Sequence, residues 1–166
     1  MRSVVLIAHN LRSTHNVGSL LRTAEALGIN RVYLTGYTPY PLSKNDDRLP
    51  HLSKSIDARI VKTALGAEKT LDWSHVPKIE KVISSLKAED FLIIGLEQTP
   101  ASKPLHKFSP PKKIAIIVGR ETKGIEADVL KLTDVQLEIP MLGKKESLNV
   151  VQAAAIALYH LTLVSQ

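Results

Sequence analysis

The most constraining feature of this chain is a set of short β-branched runs that are apolar at consecutive positions. "VVLIA" at 4–8 and "IAIIV" at 114–118 are the clearest. A strand with one wet face alternates apolar and polar residues, whereas a strand covered on both faces is apolar throughout. Six runs read as strands: 3–9, 31–37, 58–63, 91–97, 114–119 and 135–139. Between them the spacing turns helical, with Val17, Leu20, Leu21, Ala24 and Leu27 before a stop at Gly28, and again with Ile79, Val82, Ile83 and Leu86. Strands alternating with helices predict an α/β fold: a mostly parallel central sheet with helices on both faces. Segments 38–54 and 99–113, rich in Pro, Lys and polar residues, read as loops. No internal repeat or long linker divides the chain, so 1–166 reads as one domain, long enough to bury a sizeable core.

Composition excludes several function classes. There is no cysteine, hence no disulfide or thiolate chemistry, and the six histidines are scattered without a metal-binding pair. Each histidine reads as a surface or packing residue, and no metal is expected. The apolar runs fall well short of the roughly 20 residues of a membrane span. The N-terminal run lacks the small-residue cleavage site of a signal peptide. A cytoplasmic location is therefore expected, with no membrane partner. The net charge of +6 and pI near 9.6 point to a polyanion, nucleic acid above all. With only 4% aromatic residues, such binding would rest on phosphate contacts more than on base stacking.

Ligands of an α/β sheet gather at the carboxyl ends of its strands, and three loops there stand out. In the first, Asn16 precedes a helix, where it could cap free N–H groups, and Gly18 permits close backbone approach. Arg22 falls on the face of that helix opposite Val17, Leu21 and Ala24. In the second, Gly119 and Gly124 flank Glu121 directly after the strongest apolar strand, in a turn that could aim main-chain groups at a ligand. In the third, Ser147 or Asn149 could cap a final helix that is apolar on nearly every side. Neither G-x-G-x-x-G nor a phosphate-binding G-x-x-x-x-G-K-[ST] occurs.

Taken together the loops spell N-x-G-x-x-x-R at 16–22, G-x-E-x-x-G at 119–124 and I-P-x-x-G-x-x-x-S-L-N at 139–149. The chain thereby resembles the SpoU (TrmH-like) branch of the SPOUT RNA methyltransferases. The likeness runs from about residue 5 to the C-terminus, and 38–110 carries little diagnostic sequence.

The resemblance implies a deep trefoil knot in the C-terminal half that binds S-adenosyl-L-methionine, and a homodimer. The final helix would then lie between its own sheet and the partner subunit. By likeness the cofactor pocket uses Leu96, Gly119, Ile139, Met141, Ser147 and Leu148, largely through main-chain groups. The implied reaction is methyl transfer to a ribose 2′-hydroxyl of RNA. The family gives the central role to Arg22. Because a guanidinium keeps its proton, its expected task is to anchor the adjacent phosphate and stabilise charge developing on the 2′-oxygen. Asn16, Glu121, Ser147 and Asn149 would orient Arg22, the ribose and the methionine moiety. Many relatives acting on rRNA carry an additional N-terminal RNA-binding domain, and this chain begins at its first strand, which favours tRNA over rRNA. Two other readings stay open: a base methyltransferase on the same fold, and a non-catalytic RNA-binding protein.

Overall fold

The computed structural model describes residues 2–44 and 46–164. Its strands are β1 (Ser3–His9), β2 (Arg31–Thr35), β3 (Trp73–Val76), β4 (Leu92–Leu96), β5 (Lys103–Pro104), β6 (Lys113–Val118) and β7 (Val135–Glu138). They form one sheet in the order β3-β2-β1-β6-β4-β7-β5, and every pairing is parallel. The helices are α1 (Thr14–Ala26), α2 (Pro50–Ala64), α3 (Ala67–Thr70), α4 (Ile79–Ala88), α5 (Ala127–Leu130) and α6 (Val150–Tyr159). A π-type turn, His160–Val164, continues α6.

The continuous apolar runs find both faces of the sheet covered. Successive side chains of β1 part to opposite sides. Val4, Leu6 and Ala8 join the core built with α1, α2 and α6, whereas Val5 and Ile7 join the core built with α4 and α5. Leu6, Ile7, Ile116 and Ile117 have no exposed surface at all. β1, between β2 and β6, therefore carries His9 at its carboxyl end into the middle of that edge.

Two sequence expectations need correction. Residues 58–63 are helical, the last part of α2, which also takes in 50–54 of the expected loop. Pro50 pre-sets the first helical turn. Ile56, Ile60 and Ala64 recur every fourth residue, a helical period that the β-branched pair Ile60-Val61 disguises. Leu65 (φ 52°) and Gly66 (φ 96°), both left-handed, then end the helix. Conversely, β3 was not anticipated. "WSHV" is short, half-buried throughout and at the sheet edge, so it lacks the apolar density that marks the central strands.

The final helix is less buried than its composition suggests. α6 buries Ala154, Ala157 and Leu158, with Leu161 in the turn beyond. Ile156, Tyr159 and Leu163 remain 46%, 52% and 50% exposed and form one outward stripe. Within a single chain only one face of the helix is covered. Among the described residues, no helix is long and apolar enough to cross a membrane.

Candidate active site

The second motif is a closed turn. Beyond β6, the Arg120 amide donates to the Gly124 carbonyl at 3.0 Å and the Gly124 amide returns a bond to the Arg120 carbonyl at 2.9 Å. A Cβ on Gly119 would run into the backbone of Gly124, so that glycine serves the closure of the turn. Gly124 sits at φ 64°, and a side chain there would strike the carboxylate of Glu97. Glu97 in turn accepts from the Ile125 amide at 2.8 Å, tying the end of β4 to the turn.

That turn presents Glu121 to the start of α1. Its carboxylate accepts from the backbone amides of Arg12 (3.2 Å) and Ser13 (3.1 Å) and from the side-chain amide of Asn16 (3.1 Å). Burial opposes the Glu121 charge, but its own amide, those of Ser13 and Arg12 and the Asn16 side chain outweigh it, so the carboxyl titrates below its ordinary range. The helix cap itself is Ser13, whose hydroxyl accepts from the Asn16 amide at 3.2 Å. Asn16 is therefore not the cap expected from sequence; standing three residues inside, it links the first motif to the second.

The third motif closes a cleft of about 330 Å3 at the carboxyl ends of β4, β6 and β7. All six residues expected to hold the cofactor line it: Leu96, Gly119, Ile139, Met141, Ser147 and Leu148. So does Glu121. Apolar walls from Leu96, Val118, Ile139 and Leu148 suit the faces of a flat ring system. The carboxylates of Glu97 and Glu138, also lining, suit donor hydroxyls. Apolar walls with carboxylate acceptors beside them suit the ring and the ribose hydroxyls of an adenosine group. Asn149 is committed elsewhere: as the cap of α6 it accepts from the Val151 amide at 2.8 Å, and it does not line the cleft.

Arg22 stands apart from these residues. It is exposed on α1, as its helical position predicts, and opens onto a second cleft between α1, α2 and α6, shared with Tyr159. Within one chain, Asn16 and Glu121 are thus joined to each other, the cofactor candidates share one cavity, and Arg22 faces another.

Sequence reasoning missed a polar cluster at the ends of β1 and β2. His9 is buried, with its Nδ1 2.8 Å from the Thr35 hydroxyl and its Nε2 3.1 Å from the Asn10 side-chain amide. Asn10, held at φ 56°, also donates to Glu126 at 2.7 Å, and Arg120 pairs with Glu126 at 3.3 Å. Burial is the main influence on His9 and lowers its pKa, against the attraction of Glu126 and Glu80. A neutral ring donating from Nδ1 and accepting at Nε2 fits both contacts. The packing role assigned to histidines in general holds for His9. What sequence offered toward the rest was only position: Asn10 follows a central strand, and Glu97 follows β4, where α/β sheets place functional groups. Among the described residues no group of three His, Asp or Glu side chains is arranged to hold a metal.

Known proteins resemble this chain in sequence and in architecture. The profile of the SpoU rRNA Methylase family matches residues 3–159. The 23S rRNA (guanosine(2553)-2′-O)-methyltransferase RlmP of Bacillus subtilis is 30% identical over 161 residues, covering 95% of this chain and 57% of that protein. The 23S rRNA (guanosine-2′-O-)-methyltransferase RlmB of Bordetella pertussis is 28% identical, covering 95% of this chain and 58% of its own length. The chain thus spans less than two thirds of the curated relatives it matches. Among solved structures, the SpoU methyltransferase AviRb of Streptomyces viridochromogenes, in complex with AdoMet, superposes with a TM-score of 0.80 at 22% identity, over 96% of this chain and 57% of that one. The A. aeolicus TrmH/SpoU tRNA modifying enzyme gives 0.78 at 22% identity, over 98% of this chain and 75% of that one. These structures share the fold, and the profile, spanning all three motifs and nearly the whole chain, settles the family: this chain belongs to the SpoU rRNA Methylase family.

Proposed function

We propose that the chain is an S-adenosyl-L-methionine-dependent RNA ribose 2′-O-methyltransferase that works as a homodimer. The observation that carries this reading is the convergence of the second and third motifs on one cleft, whose lining suits adenosine and whose Glu121 is bonded to the first motif. The names of the curated relatives, both 2′-O-methyltransferases, point to the same reaction. When bound, the cofactor supplies an electrophilic methyl group. The residues of the chain do the rest. Leu96, Gly119, Ile139, Met141, Ser147 and Leu148 hold the cofactor, and Glu121 and Asn16 fix the start of α1 relative to it. Arg22, one face further along α1, anchors the phosphate beside the target ribose and stabilises negative charge developing on the 2′-oxygen. The connections around the cleft would form the trefoil knot the family resemblance implies.

The dimer reading rests on α6. Ile156, Tyr159 and Leu163 offer an apolar stripe that meets the Arg22 cleft at Tyr159, and a second copy covering it would bury that stripe. Sedimentation at micromolar concentration should give twice the 18.2 kDa chain mass.

The direct test is tritiated S-adenosyl-L-methionine with rRNA, the substrate class in the relatives' names, and separately with tRNA. Label alkali-resistant at one ribose in either RNA supports the reading, whereas label on a base or none at all rejects it. Arg22→Ala should lower turnover on the order of a hundredfold, with cofactor affinity retained and stability within about 0.5 kcal/mol, as for exposed sites. Unfolding of that variant, or a wild-type rate, would remove Arg22 from the mechanism.

A further inference from the structure

The glycine of the first motif brings a second cation beside Arg22. Gly18 is buried, and a Cβ there would collide with the Thr63 hydroxyl and the Ile60 carbonyl of α2. The two helices therefore meet backbone to backbone, and the Thr63 hydroxyl donates to the His15 carbonyl at 3.0 Å across the joint. One turn beyond Gly18 on α1 is Arg22, and next to Thr63 on α2 is Lys62. Both are exposed, and both line the α1 and α2 side of the same cleft of about 550 Å3, whose α6 side, Ala155 and Tyr159, borders the stripe proposed for the partner subunit. Ser19, Thr23 and Thr63 line it too, the Thr63 hydroxyl being already committed to the His15 carbonyl. No carboxylate does, and among the described residues neither Arg22 nor Lys62 makes an ion pair. Glu25, three residues past Arg22, lies outside the lining. Two cations held on neighbouring helices with no anion between them repel each other, and an anion in the cleft reverses that sign.

We propose that this cleft seats a phosphodiester of the RNA, with Lys62 as a second anchor beside Arg22. The proposal rests on the RNA methyltransferase reading. The chemistry is complementary: a planar guanidinium fork grips two phosphate oxygens, an ammonium on a flexible stem adds charge from the side, and the hydroxyls of Ser19 and Thr23 donate to the remaining oxygens. Gly18 then serves RNA binding indirectly, by letting α2 approach closely enough to deliver Lys62.

The test is filter binding of bulk rRNA and bulk tRNA between about 50 and 200 mM salt, the range over which phosphate contacts weaken visibly. Lys62→Ala should weaken binding several-fold at the low end. It should also flatten the plot of log affinity against log salt by about 0.7 to 0.9, the share of one phosphate contact. In methyl transfer its KM for RNA should rise by a larger factor than kcat falls. Lys62→Arg should keep the wild-type slope. Lys87→Ala, on α4 across the sheet, should keep it as well, which separates a local contact from loss of net charge. An unchanged slope for Lys62→Ala overturns the proposal, and so does an equal change in Lys87→Ala or a loss of binding that tracks a change in sedimentation. Wild-type protein that methylates RNA while ignoring Lys62 removes only the cleft. Wild-type protein that binds RNA with a Lys62-dependent slope but transfers no methyl group keeps the cleft and removes the enzyme reading. Failure to bind either RNA removes both.

Discussion

The Glu121 junction and the loop at 139–149 contribute to the same cleft in opposite ways. At the junction one carboxylate is met by two backbone amides and a side-chain amide, and the turn that carries it is locked by reciprocal backbone bonds. In the loop, Leu142 is 99% exposed, Ser147 is exposed, and the one side-chain bond is Asn149 capping α6. The chain's own hydrogen bonds finish the junction before any ligand arrives. The loop offers groups that the chain itself does not use. Under the proposed function, the cleft would have one wall fixed by the chain's own bonds and one whose polar groups remain available to a ligand.

The comparison fails if the junction proves dispensable. Glu121→Ala strips three donors of their acceptor, and with a charged partner lost the fold should weaken by about 2 kcal/mol. Chemical denaturation measures this. Glu121→Gln, which keeps an acceptor, should lose less. A loss under about 0.5 kcal/mol for the alanine variant would mean water replaces the carboxylate without penalty, and the junction would be no more built than the loop.

On the loop side the largest effect should come from its single committed residue. Asn149→Ala removes the cap of α6 and should lower stability by about 1 kcal/mol, with Asn149→Asp restoring most of it. Leu142→Ser should change stability by less than about 0.5 kcal/mol, because almost nothing is unburied. A larger shift would show that the loop is packed in solution, by a partner or by itself.

The smallest effect separates the junction's charge from the neighbouring buried histidine by pH. His9 is kept neutral, so its folded pKa lies below its ordinary 6.5, and the unfolded chain takes up the proton first. Stability should therefore decline as pH falls below about 6.5. Glu121 and Glu126 titrate below their ordinary 4.5, so their contribution persists above that value and is lost only as pH drops under it. A denaturation series from pH 7 to about 2 should show two steps; His75, lowered chiefly by burial as well, shares the upper one, so His9→Gln should shrink it rather than erase it. An upper step of equal size in both proteins would mean that His9 is not held neutral.

The sequence by itself determined the fold class, and its resemblance to the SpoU family singled out six residues that line one cleft. Consecutive apolar residues can be satisfied only by a sheet covered on both sides, and that pattern is local. The third motif lies in one short stretch, so its resemblance to the SpoU pattern groups Ile139, Met141, Ser147 and Leu148 before the fold is known. The second motif was likewise legible as a turn, since glycines five residues apart after a buried strand have few other uses. Only the tertiary structure decided which group meets which. Residues 58–63 resemble a strand until Pro50 and Gly18 are seen to place them as a helix against α1. Asn16 reads as a cap until Glu121, 105 positions away, takes its side chain. His9, Asn10 and Glu126 share no motif, and meet because parallel strands deliver their carboxyl ends to one edge. The separation of Arg22 from the cofactor cleft was equally out of reach, because it depends on how three helices pack on one face of the sheet. Periodicity records which face of each element avoids water, whereas a hydrogen bond or a shared cleft depends on the distance between elements, which a chain acquires only when it folds.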